Sequence, residues 1–271
     1  MTRVTKVLRR ILAGRGRGIG ELLALARSRS LFSAPPERYE PGCAKVIVLA
    51  PHMDDEVLGC GGTIARHALA GSKVHVIFLT DGRRGGGAMR SADGAAVGEQ
   101  EVVSVRKAEA QRAARVLGVS ALTFLDAEDS LLGSDPHVGL RLREVLLRES
   151  PDIVYLPFFM EAHPDHRAAS AVLFSATRGT TPQFECRGYE VWTPLLANSL
   201  VRIDDTIDAK RRAMECYASQ LAETDYLHCI VGLNAYRAIS FGTRTARFAE
   251  AFHSLPLSDY LRLYQKVLAR S

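Results

Sequence analysis

A mostly parallel, twisted α/β sheet with helices on both faces, in one domain, is what this sequence predicts, and three observations predict it. From Cys43 onward, short apolar runs rich in β-branched residues alternate with stretches of helical periodicity, and strand-helix-strand repeats imply parallel strands joined by right-handed crossovers. The run Val46–Ala50 is apolar throughout and ends at Pro51, the pattern of a strand buried on both faces. Directly after it stand His52, Asp54, Asp55 and Glu56. Ionisable groups at the carboxyl end of such a strand lie where open α/β sheets bind ligands, and leaving them buried and unpaired is costly.

In chain order, residues 1–30 alternate Leu, Ile and Val with eight basic residues and a single acid, Glu21, around the breaker at Gly14–Gly18. The net charge of +5 therefore belongs to this segment, and the rest is slightly acidic, which removes the electrostatic reason to expect nucleic acid. Two readings stand for the segment: a basic helix in peripheral contact with an anionic membrane surface or a partner, and a loosely packed extension. Its arginines interrupt any signal-peptide core, and an organellar transit peptide stays open. Pro35, Pro36 and Pro41 mark residues 31–42 as a linker, so the expected division is an extension over 1–42 and a domain over 43–271.

Within the domain the expected strands are Lys45–Ala50, Lys73–Thr80, Leu122–Leu125, Ile153–Pro157 and Gly188–Thr193. The expected helices are Glu56–Ala70, Gly98–Leu117, Val138–Glu149 and Pro164–Thr177, with less regular helices at Asp205–Ser219 and Ser258–Ala269. No apolar run is long enough to span a bilayer. The five cysteines are scattered without a C-x-x-C pair and read as reduced thiols, which places the chain in a reducing, cytoplasmic compartment.

The chemistry-bearing residues form two clusters. His52 and Asp55 sit three apart across a strand-to-helix turn, a spacing that lets both reach one ion; His163-Pro-Asp-His166 follows the apolar run Ile153–Phe159. Imidazole nitrogens with one carboxylate suit zinc, and three protein ligands with an open position describe a catalytic rather than a structural site. Asp54 points away from its ligand neighbour, where a carboxylate can take a proton from a metal-acidified water.

The segment Pro51–Gly82 with His163–His166 resembles the PIG-L/LmbE family of zinc-dependent N-acetyl-sugar deacetylases, whose signature is a strand, HPDDE, a glycine-rich helix start, and later HPDH. Arg106 and Glu109 with Leu117-Gly118, Tyr189–Pro194, Lys210 with Ser219-Gln220, and Ala249–Phe252 extend the likeness over residues 43–255. The resemblance implies a Rossmann-like fold and one zinc ion per chain held by His52, Asp55 and His166. It also implies Asp54 as general base and His163 as the residue that stabilises the oxyanion or protonates the leaving amine. The implied substrate is a small N-acetylglucosamine-type glycoside or glycoconjugate, with Arg106 and Asp129 near the sugar. Met53 departs from the family's proline and is expected to loosen the turn without changing coordination.

Blander readings accompany the sharp ones. Gly59-Cys60-Gly61-Gly62 lacks dinucleotide-fingerprint spacing and reads as close helix-to-sheet packing. Arg83, in the loop Arg83–Gly87, either binds substrate or is solvated; Arg106 and Asp129 either contact sugar or form structural pairs. Glu161 binds substrate or pairs with a cation, Asp165 caps a helix or orients a histidine, and His67, His75, His137, His228 and His253 read as structural. The rival functions are an amidase for larger amide conjugates and a non-catalytic sugar-binding module.

Overall fold

The computed structural model describes residues 35–268 apart from 88, 91–93 and 181, so the basic segment over 1–30 lies outside the described residues. Strands β1 (Glu37–Arg38), β2 (Lys45–Ala50), β3 (Lys73–Thr80), β4 (Ala121–Ala127), β5 (Ile153–Pro157), β6 (Glu185–Tyr189), β7 (Ser199–Arg202) and β8 (Ala249–Pro256) form one eight-stranded sheet. Its order is β1-β7-β8-β6-β5-β2-β3-β4, and every pairing is parallel except the two made by β8. The helices are α1 (Asp55–Leu69), α2 (Glu99–Leu117), α3 (Val138–Glu149), α4 (Pro164–Thr177), α5 (Ile207–Glu215), α6 (Ala218–Leu221), α7 (Tyr226–Arg237) and α8 (Leu257–Leu268).

Alternation along β2 explains the layers. Ile47 and Leu49 pack with Leu142 of α3, Leu173 of α4 and Tyr260 of α8, while Val46, Val48 and Ala50 pack with Ile64 of α1, Ala110 of α2 and Met214 of α5. Both faces of the sheet are thus covered, as the apolar runs require.

The topology also fixes where a ligand goes. From β2 the chain moves through α1 to β3 on one side, then returns past β4 and α3 to place β5 on the other side of β2, in register Val46 to Ile153 and Val48 to Tyr155. The strand order reverses between β2 and β5, and a crevice opens at their carboxyl ends. Both chemistry-bearing clusters follow those two strands.

Several boundaries differ from expectation. The strand expected at Gly188–Thr193 lies earlier, at Glu185–Tyr189, because the N–H groups of Val191, Trp192 and Thr193 donate to the Glu161 carboxylate instead of to a neighbouring strand. The helix expected over Asp205–Ser219 breaks at Tyr217 (ψ 55), whose hydroxyl donates to Glu56. Residues 31–42, expected as linker, contribute the edge strand β1, followed by Tyr39 stacked under the Arg187 guanidinium at 3.5 Å. Strands β7 and β8 and helix α7 were not expected. The glycines of α1 pack as predicted: a Cβ on Gly59 would strike the Tyr189 ring, and one on Gly62 would come 2.8 Å from Ile203.

Candidate metal centre and catalytic site

The turn after β2 is held open by its own hydrogen bonds. The His52 N–H donates to Asp55 Oδ2 (2.8 Å), the Asp54 N–H to Glu56 Oε2 (3.2 Å), and Arg106 Nη2 to the Met53 carbonyl (2.7 Å). Met53 is fully buried, so packing and Arg106 restrain the turn that lacks proline. Asp54 takes φ 141, a backbone region sparsely populated by non-glycine residues. Such strain costs on the order of 1–3 kcal/mol and clusters at functional sites. It turns Asp54 away from Asp55 although the two are adjacent in sequence.

The second cluster forms the start of α4. Pro164 stands at the first helical position, where a missing N–H costs nothing, and His163 is the N-cap. Its Nδ1 accepts the Asp165 N–H at 3.2 Å, which in the neutral ring leaves the proton on Nε2. Asp165 does not cap α4. Its carboxylate accepts from the Ser130 N–H (2.7 Å) and the Leu132 N–H (3.3 Å) and lies 3.2 Å from His52 Nε2, so it ties the loop after β4 to the histidine.

At the crevice the two clusters meet on Asp55. Its Oδ2 lies 3.2 Å from His52 Nδ1 and its Oδ1 lies 3.2 Å from His166 Nε2. Glu161 Oε2 stands 3.5 Å behind, at His166 Nδ1. His166 is completely buried, yet neither of its nitrogens makes a hydrogen bond. Buried polar atoms are nearly always partnered, so a buried imidazole facing a carboxylate without bonding it has the arrangement of donors aimed at a third body. Two imidazoles and a carboxylate fit zinc. The ligand atoms of His163 also lie within 4.8 Å of those of His52 and His166, and those of Asp129 and Asp165 within 4.8 Å of those of His52.

Buried imidazoles and carboxylates shift one another strongly at this corner. Burial opposes charge on His52, but Asp129, Asp165 and Asp55 together hold its pKa well above the usual value. Burial likewise opposes charge on His166, and Asp55 with Glu161 overrides it to about 9. Asp55 is buried too, but the two histidines hold its carboxyl well below the usual range. Asp54 is different: burial pushes it up to about 7 against the pull of Arg106, whose Nη2 lies 3.6 Å away. His163 is lowered by burial and by its two histidine neighbours. A divalent cation would take the place of the protons on the two raised imidazoles.

A cavity of about 190 Å³ opens over these groups, bounded by Asp54, Arg84, Arg106, Asp129, His163 and Trp192. Of the expected sugar contacts, Arg106 and Asp129 reach this cavity. Arg106 gives two hydrogen bonds to the carbonyls of Met53 and Gly82, and Asp129 accepts the Arg84 N–H. Arg83 does not line it. Its guanidinium is turned onto Asp81 (2.6 Å) and Glu99 (3.4 Å), and Arg84 stands at the cavity instead. Glu56, which the sequence singled out after β2 without giving it a role, is buried beside Asp54 and pushed up to about 8 by burial, with Tyr217 donating to it at 2.5 Å. Of the histidines read as structural, His67 meets Tyr155 (3.0 Å), His75 meets Thr123 (2.8 Å) and His253 meets the Leu196 carbonyl (3.1 Å).

Residues 47–177, which span β2 through α4 and both clusters, match the PIG-L family, described as GlcNAc-PI de-N-acetylase. A diacetylchitobiose deacetylase from Thermococcus kodakarensis is 32% identical over 196 residues, 66% of this chain and 71% of that one. This chain belongs to the PIG-L family. A 4-oxalmesaconate hydratase from Pseudomonas putida is 28% identical over 77% of this chain and 88% of its own length. The fold is shared with the N,N'-diacetylchitobiose deacetylase from Pyrococcus horikoshii, with a TM-score of 0.65 over 94% of each chain at 23% identity. Among the described residues no helix is long and apolar enough to cross a membrane.

Proposed function

We propose that this PIG-L member is a zinc-dependent hydrolase that removes the acetyl group from an N-acetylglucosamine-type glycoside or glycoconjugate. The observation that carries the reading is the meeting of His52, Asp55 and His166 from two strand ends on one buried corner, where the His166 imidazole lacks a hydrogen-bond partner. His52 through Nδ1, Asp55, and His166 through Nε2 would hold the ion. Asp165, hydrogen-bonded at His52 Nε2, would orient that ring, and Glu161, 3.5 Å behind His166 Nδ1, is the carboxylate placed to do the same for His166. Bound there, zinc supplies Lewis-acid polarisation of the amide carbonyl and acidifies a water.

The remaining steps belong to the chain's own side chains. Asp54, which borders the cavity with Arg106 Nη2 3.6 Å away, is placed to take a proton from that water. The backbone strain and Arg106 aim it into the cavity. His163, neutral with its proton on Nε2, donates a hydrogen bond to the developing oxyanion, and the proton that Asp54 takes from water passes on to the leaving amine. Doubly protonating the ring would break its bond from the Asp165 N–H, so the neutral form is the donor. Incubating zinc-loaded protein with N-acetylated sugars and measuring free amine and acetate tests the reading; zinc bound with no turnover of any such amide defeats it. The hydratase among the relatives favours a second reading, water addition to an unsaturated polycarboxylate by the same set, with Arg84 and Arg106 facing the carboxylates. An absorbance assay on such a substrate separates the two.

A further inference from the structure

We propose that a second, apolar cleft beside the catalytic cavity is the subsite for an apolar aglycone, alkyl or aryl, so that the substrate is an amphipathic N-acetylated glycoside rather than a free sugar. This inference rests on the deacetylase reading above and deepens it.

The cleft encloses about 320 Å³ and is walled by Leu58, Val191, Trp192, Tyr226, Ile230 and Leu233. Three of those residues, Leu58, Trp192 and Tyr226, also border the catalytic cavity, so the two spaces share a wall. Leu58 stands one turn along α1 from Asp54 and Asp55. Trp192 and Tyr226 meet edge to face with centroids 5.6 Å apart, forming the ridge between the polar and the apolar space. The ridge is fixed by the catalytic cluster itself: the Glu161 carboxylate beside His166 accepts the N–H groups of Val191 (2.7 Å) and Trp192 (3.0 Å). The cleft is therefore built together with the site.

Three considerations select the occupant. Trp192 is half exposed and lines both spaces, so its indole continues the wall of the catalytic cavity into the apolar cleft. The scissile acetamide must lie at the buried floor, against Asp54 and His163, whereas the cleft opens past Trp192 to the surface. The part of a substrate that reaches it is the part furthest from the reacting carbonyl, which is the aglycone. The cleft's volume, at the lower end of the roughly 300–1,000 Å³ of small-molecule pockets, suits one alkyl or aryl group.

The test is a series of 2-acetamido-2-deoxyglucosides with methyl, butyl, hexyl and octyl aglycones on the full, zinc-loaded chain. The expected result is a KM that falls about fourfold per added methylene until the cleft is filled, with kcat nearly constant. Leu233→Ser, at a residue that borders only the cleft, is expected to flatten the series while leaving methyl-glycoside turnover unchanged. Leu233→Asp repeats the test, and circular dichroism on both variants confirms folding. Turnover of every member with no dependence on chain length overturns the subsite. A wild-type chain-length dependence that survives in a folded Leu233 variant also overturns it, as does a change of oligomeric state in that variant without a change in KM. Absence of turnover across the whole series contradicts the deacetylase reading instead.

Discussion

Two clusters of buried charge lie along helix α1, and they differ in whether their charges are answered. At the helix kink, where Cys60 leaves helical geometry (φ −148), Lys210 Nζ donates to the Leu58 carbonyl (2.9 Å) and to Glu250 (2.6 Å). Glu250 in turn accepts the N–H groups of Gly62 (3.0 Å) and Thr63 (2.7 Å), which the kink had freed. Lys210 and Glu250 have no exposed side-chain surface. At the helix start the opposite holds: His166 is unbonded, Asp54 is pushed to about 7, and Asp54 sits in strained backbone. A buried ion pair whose donors and acceptors are matched is a structural device. A buried set left unmatched is poised for a ligand.

Each difference can be pressed experimentally. Asp54→Asn is expected to lower kcat by about 10²–10⁴-fold while zinc content stays at the wild-type level; loss of zinc would make Asp54 a ligand and erase the division of roles. Lys210→Met, at the answered cluster, leaves Glu250 buried without its cation and should destabilise the fold by about 3–5 kcal/mol in thermal or denaturant unfolding. The double variant Lys210→Met/Glu250→Leu should lose less than the single. A single variant as stable as wild type would contradict the reading of that pair.

Smaller effects separate the clusters further. Glu161→Gln weakens the hold on His166 and is expected to lower zinc affinity about 10–100-fold in competition with a chelator, which a Lys210 variant does not do. Glu56 gives the smallest effect. Its carboxyl rises from 4.5 to about 8 on folding, because burial outweighs the Tyr217 hydrogen bond. The folded state thus holds a proton that the unfolded chain releases, and this contribution is full below pH 4.5 and lost as pH rises through about 8. Comparing melting temperatures at pH 5 and pH 9, Glu56→Gln should fall less than wild type; an equal fall removes Glu56 from the cause.

The parallel half of the sheet and both chemical clusters were legible in the sequence because buried strands write continuous apolar runs and because His52, Asp55 and His166 lie next to them. Strand β8 was not, since a run containing Glu250, His253 and Ser254 does not look buried until Lys210 and the α1 backbone are seen to satisfy Glu250. The shift of β6 has the same origin: Val191–Thr193 looks like strand, but Glu161 captures its N–H groups from another loop. Local pattern also gave no means to choose between Arg83 and Arg84, because Asp81 decides which guanidinium turns away. Lys210 with Ser219 stood out only as a resemblance; the structure supplies the reason, since Ser219 Oγ donates to the buried Glu109 at 2.6 Å.

Zinc stoichiometry across three proteins puts the unmatched cluster to its sharpest test. Elemental analysis after exhaustive dialysis should find one zinc per chain in the wild type and in Asp54→Asn, and none in His166→Ala. A folded His166→Ala variant that keeps its zinc at wild-type affinity would contradict the assignment of the switch-point corner as the metal centre.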